Sequence, residues 1–260
     1  MSKEEIKDID FDDEMATILD VEILDDYGAD TFMFSNFFSN NLFSINEYKL
    51  LYNYLMDKEC YNIFMKKNIR HIGPKMDLKR ILKNQELLKD ALREDMDNMI
   101  NLLNNQMIVY LETILETALA DCFISIFVTN PKLILQTEDC QNVTGASFKD
   151  LLNYESKEQY IIEVAKRVTD KYWNSGKMKK RLERIENILS FKLPDDCKKK
   201  MEELYDKRNE IVHENSISEI SMPVLHVYSD QLEVLLKGIA TALKGKGVKV
   251  CDNGLILTNE

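Results

Sequence analysis

The sequence predicts a mainly α-helical protein: a helical bundle with a small N-terminal extended segment and a C-terminal β-hairpin. Two observations favour the bundle. The 260 residues include 8 glycines and 4 prolines, which suits long uninterrupted helices. Apolar residues recur every three to four positions over long stretches, whereas alternation is confined to the chain ends. With 45% hydrophobic and 30% charged residues, the chain has an ordinary globular composition and can bury a sizeable core.

Three regions are expected from the composition along the chain. Residues 1–45 form an acidic and aromatic extension, residues 46–245 a helical domain, and residues 246–260 a terminal hairpin. The net charge of −11 comes almost entirely from the first region, because residues 1–30 hold 12 acidic side chains and two lysines. The remaining 230 residues, with 33 acidic and 32 basic side chains, are close to neutral.

The first half of the helical domain is predicted to contain the longest helix. A helix over 46–69, capped by Asn46, precedes it. Asp77 caps the next helix, whose apolar pattern continues without a break into 93–128 before Asn130-Pro131 ends it. The polar face of this helix is nearly absent beyond Ala118, so it is expected to be central to the fold.

Five further helices are expected in the second half. A capping box formed by Ser156 and Gln159 begins one of them, and Pro194 followed by two acidic residues begins another. The predicted ranges are 148–154, 157–173, 177–190, 195–213 and 223–243.

The chain ends are predicted to be extended. Residues 16–24 alternate in part and are interpreted as a short strand. Residues 248–257 are typical of a hairpin with a type I′ turn at Asn253-Gly254. A lone hairpin is marginally stable, so it is expected to pair with the 16–24 strand or with another subunit.

Several classes of protein are disfavoured by what the sequence lacks. The five cysteines are scattered without a Cys-x-x-Cys pair, which predicts neither a zinc site nor a disulfide framework. There is also no His-x-x-x-His pair and no glycine-rich phosphate loop, and neither a metal nor a cofactor is expected. No run of 18 apolar residues and no signal peptide is found, which predicts a cytoplasmic protein that does not span a membrane.

One stretch carries a pattern that points to chemistry, Lys207-Arg208-Asn209-Glu210-Ile211-Val212-His213-Glu214. At 100° per residue, Arg208 lies about 40° from Leu204, inside the apolar stripe of its helix. A guanidinium in such a position must either be paired with an acidic group or have a functional role. Asn209 and His213 are four residues apart and share a second face. A fixed cation, an amide and a side chain that titrates near neutrality therefore converge near one helix end.

This Arg-Asn-x-x-x-His spacing resembles the motif of the HEPN superfamily of helical ribonucleases. The resemblance covers about residues 92–244, with a long helix upstream of the motif and one amphipathic helix after it. It implies a homodimer in which two motifs face each other and cut RNA without metal, leaving a 2′,3′-cyclic phosphate and a 5′-hydroxyl. It also implies a prokaryotic toxin or antiviral effector, with a protein inhibitor or antitoxin as an expected partner. Some family members are silenced through a tyrosine two residues after the histidine; Asn215 occupies that position here, which favours inhibition by binding.

The residues suit the implied roles. His213 can transfer a proton, Arg208 can bind phosphate oxygens through its planar fork, and Asn209 can orient the histidine or the phosphate. Because Arg208 and His213 lie about 140° apart on the helix, two facing copies would assemble a site more easily than one. The structural alternative is that Arg208 pairs with Asp206 or an interior glutamate while His213 only stabilises the helix end.

Other side chains are candidates for supporting roles. Glu112 and Glu116 lie four apart on the long helix; they are either a solvated pair, or one of them pairs with Arg208. The lysines expected to bind RNA lie on the motif helix: Lys199, Lys200 and Lys207. The acidic N-terminal segment is either solvated or an arm that competes with RNA. A non-catalytic helical module that binds protein or RNA remains the alternative for the whole chain.

Overall fold

The computed structural model describes residues 27–60, 62–63, 78–137, 154–214 and 218–252, and only the backbone of residues 78–92. This part of the chain forms a mainly helical bundle, as predicted. Its helices are α1 (Phe34–Met56), α2 (Leu78–Thr129), α3 (Lys157–Val168), α4 (Met178–Leu189), α5 (Asp195–His213) and α6 (Met222–Gly245). A 3₁₀ turn at Pro131–Gln136 follows α2, and a π-helical turn at Thr169–Trp173 extends α3.

The long second helix is the centre of the bundle. It runs for 52 residues without a break, about 78 Å at 1.5 Å per residue, and its end at Asn130-Pro131 confirms the prediction. It contacts each of α1, α3, α4, α5 and α6. Side chains in its second half that are fully buried include Leu111, Leu115, Leu119, Phe123 and Ile126. The near absence of a polar face in this half is therefore explained by packing on several sides.

The predicted start of α1 was wrong. The helix begins at Phe34 and ends at Met56, whereas the sequence suggested a helix over 46–69 with Asn46 as its cap. After the break at Asp57, residues 58–60 and 62–63 are helical again, and the predicted end at residue 69 lies outside the described residues. Serines and asparagines between the aromatic residues made the segment resemble a loop. Two of them are buried and bonded instead: Ser35 donates to the Cys251 carbonyl at 3.1 Å, and Asn41 donates to the Ser229 carbonyl at 3.0 Å.

The small sheet also differs from the prediction. Strand β2 (Lys249–Val250) pairs in parallel with β1 (Thr31–Phe32), with Phe32 opposite Val250. The strand expected at 16–24, the helix expected at 148–154 and the Asn253-Gly254 turn lie outside the described residues. The described pairing is stabilised at its edge by the Lys249–Asp30 ion pair of 2.7 Å.

The later helices follow the predicted boundaries closely. The Ser156 hydroxyl accepts from the Gln159 backbone N–H at 3.1 Å, which confirms the cap of α3. The last five residues of the helix predicted over 157–173 form the π turn instead of α-helix. Within the described ranges, no helix is both long enough and apolar enough to cross a membrane.

Candidate functional site

The helix that carries the motif, α5, begins and ends at the predicted residues. Asp195 and Asp196 occupy its first turn, where acidic side chains favour the positive end of the helix dipole. Cys197, Met201 and Leu204 are buried against the bundle. Burial then decreases along the helix, and Val212, expected within the apolar stripe, is 47% exposed. The motif therefore lies where α5 leaves the core and becomes accessible to solvent.

Arg208 is turned towards α2. Its Nε lies 3.3 Å from Oε2 of Glu112, and the two side chains are 27% and 1% exposed. The Arg208 Nη1 donates to the Asn209 Oδ1 at 3.2 Å. The sequence left open whether Arg208 pairs with Asp206 or with an interior glutamate. In the structure its partner is the interior Glu112. The guanidinium is held from one side and stays partly open to solvent on the other.

The second glutamate of α2 takes a different arginine. Oε1 of Glu116 lies 2.6 Å from Nη1 of Arg181, which projects from α4. The Arg181 Nε donates to the Gly176 carbonyl at 3.0 Å, and its guanidinium lies 5.3 Å from the centre of the Tyr205 ring. Two carboxyls and two guanidiniums thus meet where α2, α4 and α5 join; we call Glu112, Glu116, Arg181 and Arg208 the carboxyl–arginine cluster.

Glu112 is the most perturbed acid of this cluster. Burial, together with the charge of Glu116, raises the pKa of Glu112 to about 7, against the opposing effects of Arg208 and Arg181. Among the described residues, neither oxygen of Glu112 accepts a hydrogen bond, and the Nε of Arg208 donates none. The contact of Glu112 with Arg208 is therefore an ion pair without hydrogen-bond geometry, which compensates poorly for removing the charges from water.

His213 is exposed on another side of α5. It lines a shallow depression of about 500 Å³ together with Tyr205, Asp206, Asn209, Glu210 and Glu214. Three of these six side chains are acidic, so the depression in one chain does not by itself attract a phosphate. Asn209 connects the two halves of the motif, since it lines this depression and also accepts from Arg208.

The lysines predicted to bind RNA do not gather around His213. At 100° per residue, Lys207 and Lys200 lie about 120° and 140° around α5 from His213. Lys200 is also bound to Glu203 at 2.7 Å. Lys199 is exposed on the histidine side, but 14 residues earlier, about 21 Å along the axis. Any RNA that reaches His213 would meet these lysines separately.

A cluster of asparagines on α2, which was not predicted from the sequence, positions the chain after the motif. Asn105 donates to the Ser218 carbonyl at 2.9 Å and accepts from the Ser218 N–H at 3.2 Å. Asn104 donates to the Ile220 carbonyl at 2.6 Å and accepts from the Tyr48 hydroxyl at 2.6 Å. The signal in the sequence was a pair of adjacent amides on the apolar face of the helix, between Ile100 and Ile108, since buried amides must find partners.

Replacing Asn105 with alanine is expected to lower the free energy of unfolding by about 1–3 kcal/mol, because both backbone groups of Ser218 lose their partner. Urea denaturation measures the change. Asn98→Ala, on the exposed side of the same helix, is the matched control and should change stability by less than about 0.5 kcal/mol. Equal effects of the two variants would show that the asparagine contacts contribute nothing.

Comparisons with known proteins returned no match to a family model, to a curated protein or to a solved structure. Within the described residues, no group of three or more His, Cys, Asp or Glu side chains could hold a metal ion.

Proposed function

We propose that this protein is a metal-independent endoribonuclease that acts as a homodimer, with Arg208, Asn209 and His213 in its active site. The observation that carries the proposal is the arrangement at the end of α5. Arg208 is held by the buried Glu112 and bonded to Asn209, while His213 is exposed four residues beyond Asn209. These are the side chains of the motif that resembles HEPN ribonucleases.

The chemistry needs two kinds of group, and the motif supplies both. RNA carries its own nucleophile, the 2′-hydroxyl, so cleavage requires proton transfer and stabilisation of a more negative phosphorane. An exposed histidine serves as base or acid, and a guanidinium binds two phosphate oxygens at once. Attack of the 2′-oxygen on phosphorus expels the 5′-oxygen of the next nucleotide, which takes up a proton. The products are a 2′,3′-cyclic phosphate and a 5′-hydroxyl.

A second copy of the chain resolves a difficulty of the single chain. Arg208 points towards α2, whereas His213 lines a depression that Arg208 does not share. Two α5 helices related by a two-fold axis would bring the histidine of one chain towards the arginine of the other. The resemblance further suggests a toxin or antiviral effector that is restrained by a protein inhibitor.

Cleavage of a tRNA pool in EDTA tests the proposal. The wild-type dimer is expected to cut and to leave cyclic phosphate ends. His213→Ala should lower the rate by about 10²–10⁴-fold, whereas His226→Ala, at a half-buried histidine of α6, is the control and should keep it. Gel filtration and circular dichroism establish that each variant is folded. A folded, dimeric wild-type protein that cuts no RNA would contradict the proposal.

A non-catalytic interaction module is the second candidate, and one surface favours it. Phe43, Leu50 and Tyr54 are 60%, 71% and 62% exposed, and their spacing of seven and four residues puts them on one face of α1. Such a face fits the apolar stripe of a partner helix. For a module of this kind, Leu50→Glu would abolish partner binding while His213→Ala would change nothing.

A further inference from the structure

The ion pair behind Arg208 is unusual because its acidic member is enclosed and poorly satisfied. The side chain of Glu112 is 1% exposed. In the described part of the chain, neither of its oxygens accepts a hydrogen bond. A carboxylate in such a place is costly to ionise, because burial removes water and no donor replaces it. Protonation would relieve this cost.

Three charged groups face Glu112 from the helices packed around it. Glu116 lies one turn along α2, Arg208 comes from α5, and Arg181 comes from α4. Glu116 opposes the ionisation of Glu112, and the two arginines favour it. When both glutamates are ionised, the four charges of the carboxyl–arginine cluster cancel. One added proton leaves the cluster with a net positive charge.

The protonation state of Glu112 determines whether Arg208 has a counter-charge. With Glu112 ionised, the guanidinium has a counter-charge 3.3 Å away. With Glu112 protonated, the acid can donate a hydrogen bond to the neighbouring Glu116, and Arg208 loses its counter-charge. Because the arginine side chain is 27% exposed and bonded to Asn209, a phosphate from solvent can bind the open side of the guanidinium and supply the missing counter-charge.

We propose that the protonation state of Glu112 controls whether Arg208 is available to bind a phosphate group of RNA. The proposal rests on the function above for the identity of the ligand. It assigns to Glu112 a positioning role, since this residue acts through Arg208 and does not touch the substrate. The sign follows from the charges: phosphate binding strengthens as pH falls through the range in which Glu112 takes its proton. Burial and Glu116 raise the pKa of Glu112 to about 7, so this range includes neutral pH.

The first experiment measures binding of a 2′-O-methyl RNA oligonucleotide, which cannot be cleaved, by fluorescence anisotropy at constant ionic strength. All chains carry His213→Ala, so that the proposed catalytic histidine does not contribute to the comparison. Between pH 8 and pH 6, the RNA affinity of the chain that keeps Glu112 is expected to rise about three- to tenfold more than the affinity of the Glu112→Gln chain. The glutamine imitates the neutral acid, so its chain should bind with the low-pH affinity throughout.

Glu94→Gln is the matched control, because Glu94 lies exposed on the same helix and its replacement changes the net charge equally. This variant should keep the pH dependence of the Glu112 chain. The same pH dependence with glutamate and with glutamine at position 112 would overturn the proposal.

A second measurement needs no RNA. The carboxyl ¹³C chemical shift of Glu112, assigned from its loss in Glu112→Gln, should titrate near neutral pH. Arg208→Ala should move its midpoint upward, because the guanidinium favours the ionised form. A midpoint near that of an ordinary glutamate would overturn the proposal.

The two proposals can fail separately. If cleavage depends on Arg208 and His213 but RNA binding is unaffected by Glu112→Gln, the ribonuclease proposal stands and the control by Glu112 is contradicted. If RNA binding shows the Glu112-dependent pH profile but the protein cuts no RNA, the control by Glu112 stands and the ribonuclease proposal is contradicted.

Discussion

Mixing chains that carry Arg208→Ala with chains that carry His213→Ala is expected to restore RNA cleavage that neither variant supports alone. The first homodimer keeps its histidines without a guanidinium, and the second keeps its guanidiniums without a histidine. Each should lose at least about 10²-fold in rate. A mixed dimer holds one Arg208 and one His213, on different chains. Because the two side chains diverge within one chain, this arrangement across the dimer is the productive one.

Co-expression with two affinity tags isolates the mixed dimers, and cyclic-phosphate formation measures their activity. Unseparated mixtures should reach at most about half of the wild-type rate, since random pairing makes about half of the dimers mixed. Chains with both substitutions, paired with Arg208→Ala, are the control and should stay inactive. Isolated mixed dimers without cleavage, beside an active wild type, would place both groups of each site on one chain.

Phe34→Ala is expected to lower the free energy of unfolding by about 3–5 kcal/mol, because it removes a buried ring and leaves a cavity. Phe34 is fully buried at the start of α1, and its ring centre lies 5.7 Å from that of Phe38. The same end of the helix is attached to α2 through the Met33 N–H, which donates to Asp121 at 3.0 Å. Urea denaturation monitored by circular dichroism measures the change.

Phe43→Ala is the matched control within the same helix. The side chain of Phe43 is 60% exposed, so its loss should change stability by less than about 0.5 kcal/mol. A small effect of Phe34→Ala, equal to that of Phe43→Ala, would mean that the aromatic segment contributes little to the stability of the core.

The aromatic segment shows why local patterns misplaced the start of α1. Ser35 and Asn41 are typical of loops and caps when only their neighbours in sequence are considered. Their partners, Cys251 and Ser229, lie about 190–220 positions away in sequence. A window of residues contains no information on contacts at that separation, so the helix was predicted to begin after the last such residue.

The motif helix shows the opposite case. Its proline, its first-turn acids and its apolar spacing are all local, and the predicted range 195–213 agrees with the structure. The same spacing identified Arg208 as a cation among apolar residues that required a partner. It did not decide between Glu112, Glu116 and Asp206, because that choice depends on how α2 and α5 pack.

The sequence by itself determined the helical class, the central position of α2 and the boundaries of α5, because these follow from periodicity, capping and composition along the chain. Only the tertiary structure decided which glutamate faces Arg208, which asparagines hold the segment after the motif, and that β2 pairs with β1. The physical reason is the same in each case: these contacts join residues from different elements, and their energies depend on burial and charge that exist only once the helices are packed.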